Sequence, residues 1–289
     1  MDTHRVRAAL RGQPFGHTIH YHSSVPSTMS LARALAESAV DPGAISGAIV
    51  VADEQTAGRG RLDRRWETPH GRALLISLIV AGPHLPARPA QLPMIAGLAV
   101  LDAVTQAESL RHFRLKWPND LVAVLPSGPV KVAGLLAESS LDSQGIRYAV
   151  LGIGVNVNQR ADELPAPRAG GLPPASLYTL HEHEFDREEL LIHLCRSLSA
   201  LLAPPNRPDP QAIHARWQDA LINLGRPVTI EGGKSGQKMV QGRAVGTGLD
   251  GALLVEDGLG NQVTVTAGDV TVTWEVDRRI ESGSSGLGG

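Results

Sequence analysis

Between Phe113 and Gln159 the chain passes through three strand-length apolar segments, FRLKWPNDLVAVL, VKVAGLLAESSL and IRYAVLGIGVNVNQ, separated only by PSGP and DSQG. Pro, Gly, Asp and Ser in such short connections are hairpin chemistry, so the three segments read as neighbouring antiparallel strands. Two earlier runs, GAIVVADEQT and RALLISLIV (72–80), have the unbroken apolar character of strands buried on both faces. A chain that commits this much sequence to one sheet must cover it with helices, and candidates are present. In residues 27–39 Leu31, Ala34, Leu35 and Ser38 recur at helical spacing behind Ser27 or Thr28 as N-cap. Residues 91–107 are apolar nearly all round and read as a buried helix, and two more helices are expected near 186–203 and 209–223. A loop rich in Pro, Gly and Ala covers 161–176.

The pattern changes at Gly225. From there to Trp274 come short alternating runs punctuated by Gly-Asp pairs, the signal of a small all-β barrel, and the closing ESGSSGLGG cannot bury a core. The expected organisation is therefore an α/β domain over residues 1–224, a β-rich domain over 225–276 and a disordered tail over 277–289. At 289 residues the chain has room for one large core and one small one.

A formal net charge of −2 argues against a broad polynucleotide-binding surface. Against that balance, EQTAGRGRLDRRWETPHG (54–71) concentrates Arg59, Arg61, Arg64 and Arg65 in one glycine-punctuated loop with Trp66. Guanidinium forks suit phosphate or carboxylate, and Gly58 and Gly60 allow close backbone approach; the simpler reading is a solvated basic loop. No Gly-Lys-Ser/Thr follows, so the loop is not a P-loop. In KWPND, Pro118 stops regular pairing, freeing Asn119 and Asp120 to leave the sheet end beside Lys116; cation, amide and carboxylate together could hold a nucleotide with Mg²⁺. Lys131 opens an apolar strand, where a snorkelling strand-end lysine is the plain alternative. In GIGVNVN, Gly152 and Gly154 interrupt a strand just before Asn156, allowing another strand or a ligand to approach. The single cysteine, Cys195, sits in an apolar helical pattern and reads as a core thiol, which excludes an intramolecular disulfide and suggests a reducing compartment. His17, His20, His22 and the HEHE at 181–184 lack HExxH spacing and read as solvated side chains. With no signal-like N-terminus and no apolar run reaching the ~20 residues of a membrane span, a cytoplasmic location is expected.

STM, EQTAGRGR with Trp66, KWPND, KVAGLLAE and GIGVNVN, in this order, resemble the biotin protein ligases over residues 20 to 274. The resemblance implies a central mixed sheet with flanking helices, of the class II synthetase-like biotin/lipoate ligase type, followed by a C-terminal SH3-like β-barrel. It also implies two reactions. Biotin and ATP give biotinyl-5′-adenylate and pyrophosphate, and the acyl group then passes to one lysine of a biotin carboxyl carrier domain. Carried over position by position, biotin would be held by Ser27, Thr28, Gln55, Arg59, Gly60, Arg61 and Lys131, with Met29 standing where the family has asparagine. Arg61, Arg64, Trp66, Asn119, Asp120 and Asn156 would face the nucleotide. Lys131, Arg59, Lys116 and Asp120 would carry catalysis, with Mg²⁺ entering on ATP. A second departure is Asp63, a carboxylate where the family's loop has glycine.

Such a reaction brings a carboxylate to a triphosphate, so cations must offset the repulsion, while no protein nucleophile is required. Ordering a ten-residue loop costs roughly 1–2 kcal/mol per residue in backbone entropy. Arginine contacts alone cannot meet that cost, so Trp66 is expected to add burial by packing over the ligand, with the loop mobile before ligand binds. A lipoate or octanoate ligase on a related fold is the nearest alternative. A repressor with an N-terminal DNA-binding domain is not expected, since 26 residues precede Ser27; a nucleotide-binding scaffold is the remaining one. Monomer and homodimer both stay open.

Overall fold

The computed structural model describes residues 1–62, 64–107, 112–167, 170–231 and 240–273. Asp63, Trp274 and the expected tail lie outside them. The N-terminal part holds helix α1 (Thr3–Ala9), strand β1 (Ile19–Val25), helix α2 (Thr28–Ser38), strands β2 (Ile49–Gln55) and β3 (Ala73–Ala81), and helix α3 (Leu92–Ala107). Then come β4 (Phe113–Lys116), β5 (Asp120–Leu125), β6 (Gly128–Asp142), β7 (Gly145–Asn156), and helices α4 (Leu177–His181), α5 (Arg187–Leu202) and α6 (Pro210–Ala220).

Seven strands form one mixed sheet in the order β1-β2-β3-β7-β6-β5-β4. The β1–β2 pair is parallel, as a crossover through α2 requires, and the other ladders are antiparallel. The meander predicted from PSGP and DSQG is β5-β6-β7. The segment 113–125, predicted as one strand, is two: the chain turns at Trp117, Pro118 and Asn119, and β4 folds back on β5 with Lys116 opposite Asp120. Proline lacks the N–H a continuous ladder would need, and the turn uses that break.

Helices cover both faces. All nine residues of β3 are buried because α2 lies on one face and α3 with α5 on the other. Under α2, Met29, Ala32 and Ala36 meet Val50, Ile79 and Val150. This corrects the predicted stripe: Ala34 and Ser38 are exposed, and Leu31 and Leu35 flank the contact. Small side chains at 32 and 36 let the helix axis approach the sheet, which the larger leucines could not. Residues 89–107 are long and apolar enough to cross a membrane, contrary to the sequence expectation, but most of this stretch is buried. α3 is apolar all round because it packs between the sheet and α5.

Three elements carried no readable signal. α1 has seven residues, about two turns, α4 has five residues, and β1 (IHYHSSV) is largely polar with only Ile19 and Val25 buried.

The C-terminal part is a five-stranded antiparallel sheet of β8 (Pro227–Glu231), β9 (Val240–Thr247), β10 (Leu253–Glu256), β11 (Gln262–Val265) and β12 (Asp269–Val272), ordered β11-β10-β9-β8-β12. Among the described residues no ladder joins β11 to β12, so the pairing is that of a sheet rather than a closed ring. Trp117 fastens it to the larger part: its indole N–H donates to the Gly251 carbonyl at 2.8 Å, while its backbone N–H donates to Asn223 Oδ1 at 2.7 Å within the larger part.

Candidate active site

The parallel pairing of β1 with β2 sets Val25 beside Gln55, so the N-terminus of α2 and the arginine loop leave the sheet at the same end. Ser27 caps α2 through its side chain. One residue on, the Thr28 backbone N–H donates to Gln55 Oε1 at 2.8 Å and the Thr28 hydroxyl to the same oxygen at 3.0 Å. A backbone N–H can only donate, which fixes which end of the Gln55 amide is oxygen. Ser77, fully buried on β3, donates to Thr28 Oγ1 at 2.8 Å and completes the chain. Ser77 stands inside an apolar run, with no local motif to mark it.

Beside this polar corner the sheet is stripped of side chains. Gly134 on β6 pairs with Gly154 on β7, and Gly152 pairs with Leu136. A Cβ at Gly134 or Gly154 would lie 2.7 Å from atoms of the Trp66 indole, and one at Gly152 would lie 2.6 Å from Met29 Sδ. The glycines thus form a floor on which an aromatic ring and a thioether rest directly. The sequence expects Trp66 to cover a bound ligand; in the structure its ring lies on this floor, worth roughly 2–3 kcal/mol of apolar burial, and its N–H has no partner among the described residues.

The arginine loop folds back on itself. Gly60 N–H donates to the Arg64 carbonyl at 2.7 Å, Trp66 N–H to the Gly58 carbonyl at 3.0 Å, and Arg59 bridges Arg65. Gly58 is required by this closure: a side chain there would meet the Trp66 carbonyl at 2.3 Å. Leu62 turns the tip with φ of 55°, a left-handed conformation costly for a branched side chain. From this frame Arg59 reaches Glu138, at 3.2 Å, which also pairs with Arg33. Arg61 approaches Asn119 Oδ1 and the Gly268 carbonyl, each at 3.4 Å, and Arg64 pairs with Asp269. Arg65 points outward toward Glu67.

On the far side of the floor Lys131 Nζ sits 2.7 Å from Asp120 Oδ1 and 5.6 Å from the Trp66 ring centre. The β5–β6 ladder shifts register between Leu121 and Val122, and such a bulge re-aims side chains next to a site. Asn119 is tied to Leu135 in both directions, through its side-chain amide at 2.7 Å and its carbonyl at 2.9 Å. Lys116 is only 8 % exposed and donates to the Val270 carbonyl at 2.7 Å. Burial pulls its ammonium below the usual lysine range, although Asp120 opposes the shift; burial lowers the Arg61 guanidinium likewise. Asn156 lines the same space, but its amide is engaged by the Ala175 carbonyl and by Gln159.

All the residues singled out from the sequence for biotin, nucleotide or catalysis line a single cavity of about 920 Å³. Glu138 escaped notice although it ends the KVAGLLAE motif, and Asp269 opens the short strand β12 with nothing local to tie it to the arginine loop. Cys195, by contrast, is wholly buried in α5, and burial pushes its thiol up to about 12, so it stands as a core residue away from this chemistry. Among the described residues no group of three His, Cys, Asp or Glu side chains could hold a metal ion. What the cavity offers is Asp120 beside lysine and arginine side chains, its carboxylate 2.7 Å from the Lys131 ammonium.

The profile of the biotin/lipoate A/B protein ligase family matches residues 23–156. The biotin–[acetyl-CoA-carboxylase] ligase of Paracoccus denitrificans is 35 % identical over 78 % of this chain and 91 % of its own length. The bifunctional ligase/repressor BirA of Bacillus subtilis is 29 % identical over 87 % of this chain and 73 % of its own. Among solved structures, the biotin protein ligase of Aquifex aeolicus in complex with biotin and ATP superposes with a TM-score of 0.67, at 27 % identity, covering 89 % of this chain and 99 % of that one.

Proposed function

This chain belongs to the biotin protein ligases of the biotin/lipoate A/B family, and we propose that its cavity joins biotin to ATP and then delivers the biotinyl group to a carrier lysine. The observation that carries the reading is the meeting, over one glycine floor, of a neutral hydrogen-bonding corner and a ring of cations. Ser27, Thr28 and Gln55 form the first, and Arg59, Arg61, Arg64, Lys116 and Lys131 the second. The corner suits an uncharged polar head group and the ring suits a triphosphate.

In the first step a carboxylate oxygen of biotin attacks the α-phosphorus of ATP. The bond to the β-phosphate oxygen breaks, and pyrophosphate leaves with the electron pair. Lys131, braced by Asp120, lies at the edge of the floor, where it would bind the carboxylate and then the developing charge on the α-phosphate. Arg61, Arg64 and Lys116 draw the departing phosphates. Asn119 and Asn156 border the nucleotide end. Mg²⁺ on ATP supplies further charge neutralisation when bound. Trp66 and the loop exclude water from the mixed anhydride. In the second step the carrier amine attacks the acyl carbon and AMP departs.

The carrier is a lysine-bearing domain of a biotin-dependent carboxylase, the partner that the acetyl-CoA-carboxylase ligase names imply. A cytoplasmic location, the 225–276 segment as an SH3-like domain and the absence of DNA binding belong to the same proposal. Biotin-dependent exchange of labelled pyrophosphate into ATP tests it, with lipoate and octanoate in parallel. Exchange with biotin alone is expected; exchange with lipoate alone would keep the chemistry and change the substrate.

A further inference from the structure

The C-terminal sheet reaches the cavity through one corner, Gly268 to Val270. Three cations end there: Arg64 pairs with Asp269, Arg61 Nη1 approaches the Gly268 carbonyl at 3.4 Å, and Lys116 Nζ donates to the Val270 carbonyl at 2.7 Å. The corner is fixed by the β12–β8 ladder, in which Asp269 faces Glu231, and by Gly268 at φ 147°, where any side chain would meet the Glu231 carbonyl at 2.9 Å. On its opposite side the arginine loop is held by the Arg59–Glu138 pair. The loop is therefore clasped between two domains by one carboxylate from each.

We propose that Asp269 is a positioning residue: through Arg64 it holds the arginine loop's residues 58–62 and 64–66 down over the cavity and so retains the acyl-adenylate until the carrier amine arrives. This rests on the adenylation reading above. The pair is 43 % and 34 % exposed at its two side chains. A pair so exposed is weak and screened by salt, which suits a contact that must open and close at each turnover. A buried pair would lock the loop.

The test uses the full chain loaded with labelled biotin and ATP, then chased with unlabelled biotin to time the loss of bound adenylate. Asp269→Asn is expected to release it about fivefold faster at low salt, the upper end for an exposed pair. Asp269→Glu restores retention, a rescue that a merely structural residue would not give. Added salt speeds release from the wild type more than from Asp269→Asn, where only the Arg59–Glu138 pair is left to screen. Wild-type retention in Asp269→Asn, or an equal leak in Asp269→Glu, overturns the proposal. Should Asp269→Asn fail to fold, the wild type alone decides, since release indifferent to salt also overturns it. No labelled adenylate from the wild type at any salt would instead overturn the ligase reading.

Discussion

Gly134 and Gly154 are direct partners across the β6–β7 ladder, and the Trp66 indole lies over both. The contact depends on two missing side chains on adjacent strands, neither dispensable. In Gly154→Ala a methyl would sit 2.7 Å from the ring, so the indole must lift and the loop with it. Overpacking of this kind costs about 1–3 kcal/mol, and here it falls on loop closure rather than on the sheet. The expected outcome is at least a tenfold loss of biotin-dependent exchange with altered tryptophan emission and a thermal midpoint near wild type. Full activity would mean that Trp66 need not rest on the floor.

Lys131 on β6 and Asp120 on β5 form a charged pair between neighbouring strands in the cavity. Removing a preorganised donor from a site of this kind costs about 10²-fold or more in rate, so Lys131→Ala should slow single-turnover adenylate formation by that order. Folding should suffer much less, because the partly exposed Asp120 can be rehydrated. Circular dichroism melts beside the rate measurement separate the two effects. A wild-type rate would remove Lys131 from the chemistry.

Cys195 is buried without exposure and its thiol is pushed up to about 12. Thiolate is the reactive form, so the native protein should not react with Ellman's reagent at pH 8, and one thiol should appear on unfolding in guanidinium. Rapid native reaction would contradict the packing of α5.

Stability should also respond to mild acid. Burial lowers the affinity of His84 and of His20 for a proton, and nearby positive groups add to the effect: His17 and Arg207 for the first, His22 and Arg7 for the second. Their folded values lie below 6.5, so as pH falls past about 6.5 the unfolded chain binds protons first and stability declines. It is fully present above that pH. Urea midpoints at pH 7.5 and 5.5 measure the slope, and His84→Gln, which keeps a polar partner for Ser46, should flatten it. An equal slope in that variant would assign the effect elsewhere.

The parts of the site that sequence could reveal are those written in short windows. Arg59, Arg61, Asn119, Asp120 and Lys131 sit in motifs whose chemistry is local. The floor was half legible: Gly152 and Gly154 advertised close approach, but Gly134 gains its meaning only from the register that sets it opposite Gly154. Ser77 and Asp269 stayed hidden because each acts on a residue about 49 and 200 positions away, a pairing that exists only after the sheets form. The same limit explains the split of 113–125. Its apolar content is that of one strand, and only the return of β4 against β5 shows two. β1 was missed because an edge strand with one solvated face need not be apolar.

The strand order has a practical consequence. β3 and β7 meet along a nine-residue seam from Ala73–Asn156 to Ala81–Tyr148. Everything proposed to grip the acid's head group, together with the arginine loop, precedes α3; Lys116, Asp120, Lys131, the glycine floor and Asp269 all follow it. A chain cut between Ala107 and His112 would yield two polypeptides that each own half of the machinery. The seam is then an AND gate: neither input alone gives a product, and biotin appears on the carrier only where both pieces have found each other.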